Sequence, residues 1–308
     1  MPLLQKKCVS FRSRCLMITA TVLLLLAGFM LLSNRKLDGR LDNHSLSNTT
    51  TTQNVPEKFM ARARLHLIVQ IPVLNITNEP GNRWLVMRKR EYLYCLGRNL
   101  ISPHVEKIHI FCENGADPDV IKAQNLREDW KINFHFLGRR MRYRDAFQYA
   151  SNNLLRRNVM IMNADCYVDK GFERLNESIL NRKTMYALTR HETSENVRLC
   201  NAKDFCGPTA MYRGSHDAFL FRLLVPLPSQ LLDSIDYRPN ILGIEQVLIF
   251  NFKKYVQFNV KNPCKILRVV HHHCSKVRNE TERRIQGRRV DRYLHVRKET
   301  GWAAFSGL

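Results

Sequence analysis

Glycine and proline are sparse in this chain, 13 and 11 of 308 residues, which excludes a collagen-like repeat and argues against a generally disordered protein. Acidic residues are the second shortage, with 27 Asp and Glu against 49 Lys and Arg and a formal charge of +22. Several catalytic signatures are missing altogether. The absence of a G-x-x-x-x-G-K-[ST] loop removes the phosphate cradle of nucleotide kinases and ordinary sulfotransferases. There is no G-x-S-x-G elbow, H-E-x-x-H helix or kinase catalytic loop. No paired C-x-x-C occurs, which argues against a structural zinc module.

What is present can bury a sizeable core: 44% of residues are apolar, with 15 Phe, 10 Tyr and 3 Trp. A basic excess of this size suggests a polyanionic partner, nucleic acid first. The compartment decides whether that suggestion stands. Residues 15–32, CLMITATVLLLLAGFMLL, carry no charge and would make a helix about 27 Å long, enough for a short membrane span. Lys6, Lys7, Arg12 and Arg14 precede it without an acid, whereas Asp38 and Asp42 dilute the basic residues that follow. The positive-inside rule then predicts a cytosolic tail (1–14), a signal anchor (15–32) and a luminal remainder. The sequons at Asn43, Asn48, Asn75, Asn176 and Asn279 agree. Residues 33–60 read as a flexible stem, because 43–54 are polar and lack apolar periodicity. In a secretory lumen the chain would not meet nucleic acid.

Cys8 and Cys15 fall before or within the span, leaving seven of nine cysteines beyond it. Cys200 with Cys206 is the first expected disulfide and Cys264 with Cys274 the second. Cys95, Cys112 and Cys166 read as small buried apolar residues.

From Ala61 onward apolar runs alternate with amphipathic stretches. Strands are expected at 65–74, 107–113, 131–137 and 157–165, the last apolar on both faces and therefore central. Helices are expected at 84–100, 117–126, 143–155 and 172–180, with Asp169 capping the last. Further strands at 184–190, 217–222 and 255–260 and a helix at 245–254 complete the pattern. The alternation predicts an α/β fold: one Rossmann-like domain with a mostly parallel sheet, spanning 61–280, followed by a basic tail at 281–308.

Ligands of open α/β sheets bind beyond the C-terminal strand ends. The strand at 157–163 ends in Asn163-Ala164-Asp165, which makes Asp165 a candidate ligand with Asn163 beside it; an ordinary turn would use the same residues. Asp217 in Gly214-Ser215-His216-Asp217 and Glu245 at a helix start are candidate general bases, although a turn and a helix dipole also account for them. His271 and His273 share a strand face and suit a metal.

The order of these pieces resembles GT-A-type glycosyltransferases, the nucleotide-diphospho-sugar transferase-like enzymes, in particular a loosely characterised subgroup. The matching stretches run over 64–278: Glu91-Tyr92 through Cys95-Leu96 to Asn99-Leu100, Lys107-Ile108-His109, Tyr143 to Phe147, then Asn163 to Asp169. Ala187 to Arg190, Gly214 to Asp217, and His271, His273, Ser275 and Arg278 follow. The resemblance implies a type II membrane glycosyltransferase of the Golgi or endoplasmic reticulum, moving a sugar from a nucleotide-sugar donor to a glycan, protein or lipid hydroxyl. It implies a divalent metal, Mn or Mg, on Asp165 with His271 or His273, and donor contacts from Asn163, Asp165 and Arg190. Asp217 or Glu245 would be the base of an inverting reaction. The alternative is a non-catalytic relative that binds glycan or nucleotide sugar. The chain departs from the pattern at three places. His191 stands where the group often has Trp, His216 where Gln is usual, and Ile244-Glu245-Gln246 replaces a C-D-N-like triplet.

Overall fold

Alternate side chains of the central strands point to opposite faces, and both faces are apolar, so the sheet must be covered twice. The computed structural model describes residues 64–72, 83–239, 241, 243–275 and 300–308. It has a mixed α/β fold whose central sheet is mostly parallel. In chain order, β1 is Leu65–Val69, α1 Arg83–Leu100, β2 Val105–Cys112 and α2 Asp117–Lys122. Next come β3 Ile132–Phe136, α3 Tyr143–Asn153, β4 Asn158–Met162 and β5 Cys166–Val168. Then follow α4 Glu177–Leu180, β6 Thr184–Leu188, β7 His191–Glu192, α5 Ser194–Cys200 and β8 Ala218–Arg222. The last elements are α6 Ser229–Ser234, α7 Ile244–Val256, β9 Asn259–Lys261 and β10 Val269–His271.

The seven-stranded sheet has the order β3-β2-β1-β4-β8-β6-β9. Only β8 runs antiparallel to its neighbours. The strand expected to be central, β4, is the fourth of the seven and buried throughout. Its Met160 and Met162 join a core with Leu65, Leu67, Tyr92 and Leu96. Val159 and Ile161 join the opposite core with Phe147, Phe219, Leu248 and Phe252. Thus α1 covers one face, while α3 and α7 cover the other. A smaller sheet, β5-β10-β7, flanks this layer.

Several expectations are corrected. Asp169 caps no helix; it pairs with Arg268 at 3.3 Å, and a 3-10 turn at Phe172–Arg174 begins after Gly171. Gly171 has φ +96°, and a Cβ there would stand 1.8 Å from the Ile266 carbonyl oxygen, so the chain breaks before Asn176 caps α4. The strand expected at 255–260 starts later, as β9 at Asn259: α7 continues to Val256, and Gln257 turns left-handed at φ 56°. Trp84, the first residue of the helix expected at 84–100, is exposed. The disulfides join Cys200 to Cys274 and Cys206 to Cys264. The four cysteines were rightly singled out, but their partners are exchanged, because α5 carries Cys200 to the end of β10. Cys95, Cys112 and Cys166 are free and buried, as expected. Residues 300–308, expected as the end of a basic tail outside the domain, lie against it, where Ala303 is buried and Asn262 bridges to Phe305.

Among the described residues no helix is long and apolar enough to cross a membrane; the span expected at 15–32, the stem, Arg278 and the sequons other than Asn176 lie outside them. Asn176 is exposed.

Across β1, β2 and β3, three imidazoles form a chain. His66 Nδ1 meets His109 Nε2 at 3.2 Å, and His109 Nδ1 meets His135 Nε2 at 3.1 Å. Tyr149 Oη also reaches His109, at 3.1 Å. Burial lowers the pKa of all three, His109 to about 3, with Lys107 and Arg157 adding to the effect at His66 and Glu106 opposing it. A base whose folded pKa is depressed stabilises the fold above its unfolded pKa, near 6.5, and loses that contribution as pH falls below it. Urea midpoints should therefore drop between pH 7.5 and 5, and His109→Gln should flatten the slope. An unchanged slope in that variant would remove the imidazole chain as the cause.

Candidate functional site

The chain leaves the main sheet at the end of β4. Asn163 N–H donates to the Asp217 carbonyl at 3.0 Å and Cys166 N–H to the Asn163 carbonyl at 3.1 Å, forming a turn that holds Asp165. Beyond the turn, β5 pairs antiparallel with β10, placing Cys166 opposite His271, and β10 pairs parallel with β7, placing His271 beside Glu192. The register of three short strands therefore lines up Asp165, His271 and Glu192.

Asp165 is buried, and four groups converge on it. His271 Nε2 lies 3.1 Å from its Oδ2 and His273 Nδ1 3.8 Å away. Arg88 of α1 donates to the same oxygen through Nη2. The His272 N–H donates to its carbonyl at 2.8 Å. Burial opposes ionisation, but His271 and then Arg88 hold the carboxyl well below the usual carboxylate range. His271 is raised to about 9 against the effect of its burial, by Asp165 and by Glu192, whose Oε1 is 2.6 Å from Nδ1. Burial and Arg88 lower His273 to about 4, and its Nε2 is buried with no hydrogen-bond partner.

One ligand atom each from Asp165, His271 and His273 lies within 4.8 Å of the others. This donor set fits a first-row divalent cation. Imidazole nitrogens beside a carboxylate suit Mn²⁺ better than Mg²⁺, which prefers oxygen alone. Glu192 behind His271 supplies the outer carboxylate that fixes the orientation of a ligating ring. His191 lies near Cys206 and Cys264 in a second such grouping, but those two sulfurs are bonded to each other.

The second half of the site is built on Asp217. Asn163 Nδ2 donates to its Oδ1 at 3.1 Å, and Arg190 Nη1 lies 3.0 Å from the same oxygen. Arg190 Nε also contacts Glu192 at 3.2 Å, so one guanidinium links the two halves. Glu245, at the start of α7, is felt by Asp217; burial first, and that neighbouring charge second, push its carboxyl up to about 8. The structure thus brings Asn163, Asp165, Arg190, Asp217, His271 and His273 into one connected cluster, with Glu245 adjoining through its charge.

Sequence reasoning missed Arg88 and Glu192 and gave Glu91 no role. Glu91 accepts from Arg88 at 2.9 Å, from the N–H groups of Cys274 and Ser275 at 2.6 and 2.5 Å, and from the Ser275 hydroxyl at 2.6 Å. It anchors the segment that follows His273. Asn99, another residue of the same helix, donates to the Cys166 carbonyl at 3.0 Å and accepts from the Val168 N–H at 2.9 Å, holding β5. A signal existed: Arg88, Glu91, Tyr92, Cys95 and Asn99 recur at helical spacing on the buried side of α1, and charged residues in that stripe demand partners.

No protein-family model and no curated protein sequence matches the chain. Solved structures do resemble it. S. aureus TarS 1–349 is 12% identical with a TM-score of 0.39, covering 68% of this chain and 60% of its own. The same fragment in complex with UDP-GlcNAc is 12% identical with a TM-score of 0.39, over 70% of this chain and 61% of that one. A protein of Desulfovibrio desulfuricans G20, described as a nucleotide-diphospho-sugar transferase, is 13% identical with a TM-score of 0.39, over 77% of this chain and 95% of that one. The chain therefore spans about 60% of the length of the TarS fragment, and likenesses at this level bear on neither its reaction nor its substrates.

Removing a partner from a buried charge pair leaves the other charge exposed to a low-dielectric surrounding, at a cost of about 3–5 kcal/mol. Glu91→Ala should lower unfolding free energy by about that amount, and Glu91→Gln by less, in urea titrations. A loss below about 1 kcal/mol in Glu91→Ala, the range of an exposed ion pair, would mean that the pair is not the anchor described.

Proposed function

We propose that the chain is a GT-A-like glycosyltransferase that takes a sugar from a nucleotide-diphosphate donor and transfers it to an acceptor hydroxyl with the help of a divalent cation. The observation that carries this reading is the convergence of Asp165, His271 and His273 beyond the end of a central strand, where open α/β sheets bind ligands. Asp165, His271 and His273 would hold the cation, which when bound supplies positive charge against the departing diphosphate. Arg190 and Asn163 hold Asp217 in place and would contact the donor.

The two candidate bases differ in their surroundings. Asp217 is engaged by Arg190 and Asn163. Glu245 has its pKa close to working pH, where a general base is most effective. We assign the base role to Glu245. Its carboxylate removes the acceptor hydroxyl proton as the oxygen bonds to the anomeric carbon, and the bond from that carbon to the diphosphate breaks, releasing the nucleoside diphosphate with inversion.

The same reading places the domain in the secretory pathway, anchored by 15–32. The exposed sequon asparagine Asn176 and two disulfides support that compartment.

The full chain should consume one sugar nucleotide from a panel of UDP, GDP and dTDP sugars with Mn²⁺. Chelator and Asp165→Ala should each abolish turnover. Turnover that survives Asp165→Ala sinks the cation assignment, and donor binding without turnover favours the non-catalytic alternative. A second measurement concerns the base. As Glu245 ionises, kcat/KM should rise with pH and level off above about 8. Glu245→Gln should cut the rate by roughly 10²–10⁴ and abolish that limb; a limb that persists assigns the titration to another group.

A further inference from the structure

The C-terminal residues return to the domain beside the start of α7. Gly301 N–H donates to the Gln246 carbonyl at 2.9 Å, and the Gln246 side chain donates to the Gly214 carbonyl at 2.9 Å. Ala303 N–H donates to Tyr212 Oη at 3.1 Å, and that hydroxyl also meets His216 Nε2 at 2.9 Å. Lys253 Nζ donates to the Trp302 carbonyl at 2.7 Å. These bonds fix Trp302 over Gly214. A Cβ at Gly214 would stand 2.5 Å from indole Cζ3, and the residue has φ +73°, so glycine is required twice over. Trp302 is nonetheless 55% exposed, with Tyr212 edge-on at 6.0 Å. A tryptophan held at both flanking residues and at its own carbonyl, yet left open to water, pays a hydration cost that core packing does not explain.

We propose that Trp302 is the platform on which an oligosaccharide acceptor rests one sugar ring. The proposal deepens the glycosyl-transfer reading and rests on it for the direction in which the acceptor points. A pyranose ring presents a face of C–H groups that stacks on an aromatic plane, while its hydroxyls stay in water. Gly214 lies three residues from Asp217, a chain distance of at most about 11 Å, and Gln246, which ties Gly214 to Gly301, adjoins Glu245. By chain connectivity a ring on Trp302 would lie within one or two sugars of the two carboxylates, and on this proposal a ring beyond it offers the acceptor hydroxyl to Glu245. The substrate class follows: the acceptor has at least two sugars, and a monosaccharide cannot occupy both positions.

Trp84 and Trp130 are both exposed, so the full chain carrying Trp84→Phe and Trp130→Phe keeps Trp302 as its sole indole fluorophore. It is titrated with lactose, N-acetyllactosamine and chitobiose, and with the methyl glycosides of galactose and N-acetylglucosamine, without nucleotide or metal. At least one disaccharide should change the emission saturably, with a Kd at least tenfold below those of the methyl glycosides. In calorimetry Trp302→Ala should weaken that disaccharide at least tenfold, and Trp302→Phe should restore most of the affinity, which separates stacking from folding. Binding of UDP, GDP or dTDP with Mn²⁺ should be the same in Trp302→Ala as in wild type. The proposal is overturned if no disaccharide moves the emission, if Trp302→Ala binds as wild type does, or if the nucleotides alone move it. Wild type that binds a disaccharide at Trp302 but none of the nucleotides sustains the platform and removes the donor reading.

Discussion

Asp165 has 7% of its surface exposed, and an unpaired carboxylate at such a position would cost several kcal/mol. Much of the local architecture follows from the need to pair it. Arg88 comes from α1, His271 from β10 and His273 from the segment just beyond it. Each of these groups needs a partner in turn. Arg88 is shared with Glu91, and Glu91 holds the backbone at Cys274 and Ser275. His271 leans on Glu192, Glu192 on Arg190, and Arg190 on Asp217. A chain of alternating charges in a low-dielectric setting behaves as one unit, because removing any member leaves its neighbour unpaired.

The topology explains why this unit sits where it does. Strand β4 is parallel to β1 on one side and antiparallel to β8 on the other. That reversal brings the start of β8, with Asp217, against the end of β4, with Asn163. The small sheet then extends past the same edge and adds the imidazoles. The disulfide between Cys200 and Cys274 closes the histidine-bearing segment onto α5. Closing a loop of this length is worth roughly 4 kcal/mol in the chain-entropy account, so the histidine-bearing segment is held covalently as well as by charge.

The layered core was legible because it depends on a period of two. Met160 and Met162 face one core and Val159 and Ile161 the other, and a run apolar at every position has no other solution. Asp165 was singled out by its place at a strand end and His271 and His273 by their spacing, and the order of motifs was what joined them, since spacing alone could not distinguish a ligand from a turn residue. Glu192 was invisible because its strand has two residues, too few to carry a pattern. The disulfide partners failed for a related reason: proximity in sequence says nothing about which strand ends a sheet brings together. The helix expected from Asp169 failed because Gly171 turns left-handed before the 3-10 turn at Phe172–Arg174, and Asp169 pairs with Arg268 instead. Arg88 and Glu91 were legible in principle, as charges in phase with the buried face of α1.

The charge of +22 has a different meaning near the site than over the whole chain. Between Lys276 and Lys298, outside the described residues, nine basic residues face three acidic ones. In the charge chain the balance is reversed: the carboxylates of Glu91, Asp165, Glu192 and Asp217 meet the guanidiniums of Arg88 and Arg190 and the imidazole of His271. A basic surface draws an anion in over distances set by the Debye length, but it cannot neutralise an anion bound against buried carboxylates. A diphosphate reaching this strand end therefore needs positive charge delivered locally, and both guanidiniums already carry hydrogen bonds to carboxylates. On the proposed reading, attraction by basic residues and neutralisation at the site would be separate functions carried by separate residues. The donor set of Asp165, His271 and His273 is the part of the chain whose chemistry can supply the second.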